Sequence, residues 1–427
     1  MMANMHMKKE REYVFLSLMI PQQLSGEVRD NSANTMADAA NTLEHNLMHG
    51  FAANLSTPPK VVNVLPIGSY PQYYKKVFVK KSTFSLCGRN DHINLGFCNI
   101  KLIRNYFIEK SVYKYLNDYC KKKNGEIVLC IYSASAEFLS VAEKIKKKYP
   151  NIVICDIIAD LPGMTNLSSK KPTILQWFIE HKAKKSMRGL ASIDCFVLLT
   201  KQMAEYLHVK KLFCVVEGIS TETTELSRTE LSDQKIILYT GTLHKKFGVM
   251  NLVKAFQKID DPKYRLVICG IGDSAEGIRE AADNDSRISF LGQLPRDEVI
   301  EWQKKATVLV NPRQNNEEFT KYSFPSKTME YLSSGIPVIA YKLDGIPVEY
   351  DQFIQYVEDG ATDTLKNKLI EICKLPYETR QKIGRKGREF VLHEKNCKVQ
   401  VKKIINMIDE VLEDFNTKGV SKCINIK

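Results

Sequence analysis

The chain lacks the marks of several protein classes. Its 427 residues contain no C-x-x-C pair. The eleven cysteines, at 87, 98, 120, 130, 155, 195, 214, 269, 373, 397 and 423, are scattered, and several lie inside apolar runs such as IVLCIYSA. That distribution argues against a disulfide framework or a zinc site and for reduced core thiols in a cytosolic protein. No run of 18 apolar residues occurs, so the sequence offers no membrane span. The early VFLSLMI follows lysines as a secretion signal would, but it is short and no small-residue cleavage site follows. It reads as a first buried strand. No recognisable nucleic-acid module is present.

What the first half is short of is acid. Residues 1–220 hold 30 Lys+Arg against 18 Asp+Glu, whereas the remainder holds 32 against 31. The net charge of +13 therefore sits almost wholly in one half. That half either faces something acidic or carries a solvated cationic surface. The composition, 44% hydrophobic and 26% charged, excludes disorder and gives two or three domains' worth of core-forming chain.

Short apolar strands alternate with helical patterns, which predicts an α/β fold with parallel sheets and crossover helices. The first series is YVFLSLMI, VVNVLPIG, HINLGF, EIVLCIY, NIVICDII and IDCFVLLT; the second is KIILYTG, YRLVICG, RISFLG, ATVLVNP and IPVIAY. The polar stretch 222–235 is the clean linker between them. Two Rossmann-like domains are expected, at 1–221 and 222–396. Residues 397–416 then form a terminal helix with an apolar face of Val399, Val401, Ile404, Ile405, Met407, Ile408, Val411 and Leu412.

The sharper constellation lies in the second domain. ATVLVNP runs into the polar loop RQNNEEFTKYS, and Pro325 and Ser326 then open a helix whose first amides are free for a phosphate oxygen. Ligands of such sheets sit at the carboxyl ends of the strands, where this loop lies. Ser326 and Glu330 are spaced i, i+4 and share a face, while Met329 and Leu332 can turn to the core. A carboxylate there can accept two hydrogen bonds from a vicinal diol such as a ribose; spacing alone equally allows an ordinary exposed helix residue. The turn GIGD, Gly270 to Asp273, is followed by its next glycine only at Gly277. That spacing reads against NAD and leaves either a backbone approach to a nucleotide or a purely structural turn.

The ordered series YTGTLHKKFGVMNLVKAF, LVICGIGD, RISFLGQLPRDEVI, TVLVNPR and FPSKTMEYLSSGIPVIA resembles the carboxyl-terminal domain of retaining GT-B glycosyltransferases of family four. Among these it is most similar to the bacterial exopolysaccharide and capsule branch with a PSK-x-x-E-Y motif. The resemblance covers roughly 190–400. It implies two Rossmann-like domains facing a cleft, the terminal helix returning to the first domain, and sugar transfer from a nucleotide-sugar with retention. By the same resemblance Glu330 grips the donor ribose. Tyr322, Ser323, Ser326 and Lys327 belong to the segment whose amides meet the donor's sugar and diphosphate. Gly241 and Thr242 match the family's Gly-Arg turn, and Lys246 lies near its phosphate-binding lysine. The pattern departs in three places: Tyr322 stands where a first glutamate is expected, Thr242 where an arginine is, and MIPQQLSGEV lacks the usual glycine pair. Arg313, with Lys246, Lys321 or Lys327, would then neutralise the diphosphate.

On the acceptor side, Asp160 in IIADLPGMTN follows a strand near where relatives carry a His-Asp pair. It either orients the acceptor and stabilises cationic character at the sugar carbon or simply caps the loop before Pro162. No D-x-D pair falls in a cleft-side loop, so no metal or other cofactor is expected. Aromatic and basic residues mix in KLIRNYFIEKSVYKYLNDYCKKK and in PTILQWFIEHKAKKSMRGL, where Trp177 precedes Lys182, Lys184, Lys185 and Arg188. Either these rings pack on the sheet, or they meet an anionic bilayer. The expectation is a cytoplasmic enzyme, peripheral on the inner face of the cell membrane, acting in polysaccharide biosynthesis on a glycan or polyprenyl-diphosphate-linked acceptor. A GT-B-like nucleotide-sugar epimerase and a non-catalytic nucleotide-binding module are the alternatives.

Overall fold

The computed structural model describes residues 11–33, 38–123, 125–161, 189–220 and 233–424. The chain divides into two compact units, one of Met1–Glu217 with Cys397–Lys427 and one of Gly218–Asn396. The basic segment around Trp177 and most of the polar linker, 222–232, lie outside the described residues.

The first unit is built on β1 (Arg11–Ser17), β2 (Lys60–Asn63), β3 (Phe78–Val79), β4 (Ser82–Leu86), β5 (Arg89–Asn94), β6 (Phe97–Cys98), β7 (Glu126–Tyr132), β8 (Val153–Ile158), β9 (Cys195–Leu198) and β10 (Phe213–Val215). Its main sheet runs β10-β9-β8-β7-β1-β2-β5-β4. Every neighbouring pair in it is parallel except β4 with β5. Parallel strands are covered on both faces, which is why β7 and β8 read as unbroken apolar runs and are buried along almost their whole length. The expected strand HINLGF is in fact the return arm of a hairpin. Cys87 and Gly88 turn it with φ of 50° and 76°, two successive left-handed residues as a tight two-residue hairpin needs. VVNVLPIG stops as a strand at Asn63, whose side chain leaves the ladder to bond the Met19 backbone and Asn94.

The helix Cys397–Ile424 belongs to this unit and buries Val401, Ile404, Ile405, Met407, Ile408 and Leu412. It lies so close to the helix Asp38–Asn54 that a Cβ on Gly50 would come 2.3 Å from the Cys397 carbonyl oxygen. Arg11 of β1 is ion-paired to Asp409 of the same helix.

The second unit holds β11 (Lys235–Thr240), β12 (Tyr264–Cys269), β13 (Ile288–Phe290), β14 (Val308–Asn311), β15 (Val338–Tyr341) and β16 (Ile354–Val357). All are parallel, in the order β13-β12-β11-β14-β15-β16. Alternate residues of each strand feed two cores, Ile237 and Tyr239 one face, Leu238 the other. The strand order reverses between β11 and β14. Crossovers leaving these two strands go to opposite sides, so the backbone parts at their carboxyl ends and leaves room for a ligand.

Candidate active site

At that switch point the glycines are conditions of the geometry. Gly270, just past β12, has φ of 145°, and a Cβ there would lie 1.8 Å from the carbonyl oxygen of Gly241, just past β11. Gly248, φ 75°, would meet the Pro312 carbonyl oxygen at 2.1 Å. Backbone bonds lock the turns together: Gly241 N donates to Cys269 O at 3.0 Å, and Leu243 N to Ile271 O at 2.8 Å. The loops after β11, β12 and β14 thus form one surface of closely packed backbone, which larger residues would force apart.

The helix Ser326–Ser333 is aimed at this surface by side chains that the apolar pattern does not reveal. Buried Tyr331 donates its hydroxyl to Thr240 O at 2.9 Å and accepts from Thr240 N at 2.8 Å, pinning the helix to the end of β11. Asn311, the last residue of β14, bonds Thr328 at 3.2 Å. Pro325 occupies the N-cap and no side chain caps the helix. The amides of Ser326 and Lys327 therefore have no intrahelical acceptor and carry the positive end of the dipole.

Glu330 sits one turn in, half-exposed, with Met329 and Leu332 buried on the other side as the spacing anticipates. Its Oε2 is 2.8 Å from Lys327 Nζ, and its Oε1 accepts from Gln303 Nε2 at 3.1 Å. A carboxylate has about four acceptor positions, so this fixed carboxylate retains capacity for two hydroxyl donors. Lys327 in turn lies along Gly241: a Cβ on that glycine would be 3.6 Å from Lys327 Cε. The structure therefore brings Gly241, Lys327 and Glu330 together. In this state Lys327 neutralises the acid rather than standing ready for a diphosphate.

Arg313 provides the other charge. Its guanidinium is 4.1 Å from the ring centre of Phe247 and 5.5 Å from that of Phe319, on opposite sides of a chain gap of more than sixty residues. Nε is buried without a hydrogen-bond partner among the described residues. Burial lowers its pKa to about 10, opposed only by the Tyr239 hydroxyl. A cation held among rings with an unmet N–H is what an incoming anion would satisfy. Lys246, by contrast, is 3.1 Å from Glu317. Tyr239 donates to the Thr242 carbonyl at 2.8 Å, which fixes the Gly241-Thr242 turn. Lys321 is exposed; Tyr322 and Ser323 lie half-buried in the loop, with Ser323 bonded to Phe319 O at 3.1 Å.

In the first unit, Asp160 follows the carboxyl end of β8 and reaches the surface, with the surrounding protein raising its pKa by partial desolvation. Two further groups at this edge carry no sequence signal. Glu44, wholly buried, accepts from Ser17 Oγ at 2.6 Å and Leu18 N at 2.9 Å, and burial pushes its pKa to about 8. The Tyr132 hydroxyl, at the end of β7, is buried without a partner among the described residues and feels both Glu44 and Asp160. Ser133 next to it holds φ of 87°, a strained value for a residue with a Cβ. Among the described residues no group of His, Cys, Asp and Glu forms a metal site, and no helix is long and apolar enough to cross a membrane.

Residues 222–390 match the family described as "Glycosyl transferases group 1". D-inositol 3-phosphate glycosyltransferase of Corynebacterium glutamicum (strain R) is 30% identical over 139 residues, 29% of this chain and 32% of that protein. N-acetyl-alpha-D-glucosaminyl L-malate synthase of Bacillus anthracis is 24% identical over 187 residues, 42% and 47% of the two chains. The chain thus spans between about a third and a half of the length of these curated relatives. Over the whole chain the fold is similar to sucrose-phosphate synthase from Thermosynechococcus elongatus (TM-score 0.63, 15% identity, 95% of this chain and 100% of that one). It is also similar to a lipopolysaccharide outer core galactosyltransferase in apo form (TM-score 0.60, 15% identity, 94% and 99%). The two-domain α/β fold is GT-B.

Proposed function

We propose that a chain with this fold, whose second unit matches a family of glycosyl transferases, is an enzyme that moves a sugar from a nucleotide-sugar to a glycan precursor with retention of anomeric configuration. The observation that carries the reading is Arg313: a partly desolvated cation without a carboxylate partner among the described residues, at the switch point and two residues past Asn311, which bonds Thr328 of the helix with the uncapped N-terminus. Breaking the bond between a sugar and a nucleoside diphosphate builds negative charge on the leaving phosphate. Arg313 and the amides of Ser326 and Lys327 stabilise that charge without reorganising. Lys246 and Lys321 add to the positive field. Glu330 holds the ribose, Gly241, Thr242 and Gly270 let backbone approach the nucleotide, and Tyr322 and Ser323 line the donor's sugar. In this reading the protein's own cations do this work in place of a metal. Asp160 orients the acceptor hydroxyl or steadies the cationic sugar carbon. The acceptor is a polyprenyl-diphosphate-linked glycan, and the enzyme works in the cytoplasm at the inner face of the membrane.

The test is incubation of the full chain with a panel of nucleotide-sugars and a lipid-linked acceptor, with nucleotide and product followed by mass spectrometry. Glycosylated acceptor plus stoichiometric nucleoside diphosphate is the expected result. A changed sugar without an acceptor would instead mark an epimerase, and binding without turnover a nucleotide-binding module.

A further inference from the structure

The most unusual surface lies in the first unit. Leu102 is 92% exposed, Phe78 67% and Tyr106 63%, and Ile100, Ile103 and Phe107 are exposed beside them. Three chain segments bring them together. Phe78 of β3 pairs with Cys98 of β6, Asn99 N donates to Val77 O at 2.7 Å, and Ile100 bridges to Tyr70. The turn at Ile100–Ile103 then opens the helix Arg104–Lys122, on which Tyr106 and Phe107 meet edge to face at 5.5 Å. Water-soluble surfaces rarely gather large apolar side chains in this way without something to cover them.

Charge identifies the cover. Residues 69–90 and 95–108 contain seven Lys and Arg and no Asp or Glu; of the seven, Lys76 pairs with Glu27 and Arg89 with the neighbouring Asp91. Lys80, Lys81, Lys101 and Lys110 are exposed around the apolar cluster, Lys110 with its ammonium 5.9 Å from the Tyr106 ring centre. Aliphatic tips, rings with a polar edge, and exposed lysines in excess over acids suit the headgroup layer of an anionic bilayer. There the rings sit at the interface, and the lysine stems stay in apolar surroundings while the ammonium groups meet phosphates.

The position in the fold adds a reason. β2 and β5 run parallel, and the segments carrying the patch leave their carboxyl ends, the same edge of the sheet at which β8 delivers Asp160. We infer that the surface formed by Phe78, Ile100–Ile103 and Tyr106–Phe107 docks on anionic lipid and sets the acceptor edge of the first unit against the bilayer. Its purpose rests on the glycosyltransferase reading; its existence does not.

Sedimentation of the full chain with phosphatidylcholine vesicles, with and without 30 mol% phosphatidylglycerol, tests it. Binding is expected only with phosphatidylglycerol, and should weaken on raising salt from about 50 to 500 mM. Phe78→Ser/Leu102→Ser/Tyr106→Ser should lower the partition coefficient at least tenfold with an unchanged melting temperature, because these side chains are exposed. Lys80→Ser/Lys81→Ser/Lys101→Ser should lower it and remove most of the salt dependence. Three outcomes would overturn the inference: no binding to either vesicle at low salt, equal binding of the triple serine variant, or loss confined to changes at Lys182–Arg188. A dimer in sedimentation equilibrium that the apolar variant abolishes, without vesicle binding, would reassign the patch to a second copy of the chain. Titration with nucleoside diphosphates needs no membrane and reports on the donor site separately.

Discussion

Replacing Arg313 by Met should make the protein more stable and less able to bind its donor. The folded state lowers this arginine's pKa from 12.5 to about 10, so at neutral pH, well below both values, it bears a desolvation cost of roughly 3 kcal/mol. Against that stands the attraction of two rings, one at 4.1 Å, worth about 1–2 kcal/mol for a partly desolvated pair. A methionine keeps contact with Phe247 and Phe319 through its flexible thioether and removes the charge. The net expectation is a gain of about 1 kcal/mol in unfolding free energy. The diphosphate loses a charge-assisted partner, about 1.5–3 kcal/mol, or a ten- to hundred-fold weaker dissociation constant. Urea unfolding and calorimetric titration with nucleoside diphosphates measure the two effects on one sample. A variant that is less stable and binds as tightly as the parent would show that Arg313 serves the fold, and the argument for an anion site would fail.

Three further changes probe the same framework. Glu330→Ala should weaken donor binding by about 1.5–3 kcal/mol while stability moves little, since the half-exposed pair it makes with Lys327 is worth only about half a kcal/mol; unchanged titration curves would remove Glu330 from the site. Gly270→Ala forces a Cβ against the Gly241 carbonyl and should cost roughly 2–4 kcal/mol in denaturant unfolding, an expectation that fails if the midpoint is unmoved. Glu44 holds its proton in the folded state up to about pH 8, against an ordinary value of 4.5. Its contribution to stability is therefore present below 4.5 and lost as pH rises through 8. Glu44→Gln preserves an acceptor for Ser17 and Leu18, so it should stabilise the protein by a few kcal/mol at pH 8 and by little at pH 4.5; parallel pH–stability curves for variant and parent would contradict this.

The parts of the fold that sequence discloses are those whose cause is local. A parallel strand covered on both faces must be apolar throughout, so KIILYTG and EIVLCIY announce themselves, and Pro325 before SKTMEYLSS marks a helix start. The hairpin around Cys87 was not legible, because its turn uses Cys-Gly where Asn-Gly would have given the signal, and β3 and β6 are too short for any period. In the site, Glu330 could be singled out by spacing and resemblance, but its partner Gln303 lies 27 positions earlier and only the fold brings it close. Arg313 was visible as a residue; that Phe247 and Phe319 lie against it was not, since a ring contact across more than sixty residues, as with Phe247, has no sequence pattern and one six residues on, as with Phe319, follows no helix or strand period. Glu44 and Tyr132 were not legible either. Each looks ordinary on its own element, and only burial at one sheet edge sets them apart.

The central claim is that the carboxyl edge of β11, β12 and β14 holds a nucleoside diphosphate, and a crystal structure of the full chain with the nucleoside diphosphate that most raises its melting temperature tests it most directly. The account predicts ribose hydroxyls on the Glu330 carboxylate and phosphate oxygens within hydrogen-bond distance of the Arg313 guanidinium and the amides of Ser326 and Lys327. A nucleotide seated elsewhere, with Arg313 still against its two rings and Glu330 bonded only to Gln303 and Lys327, would contradict it.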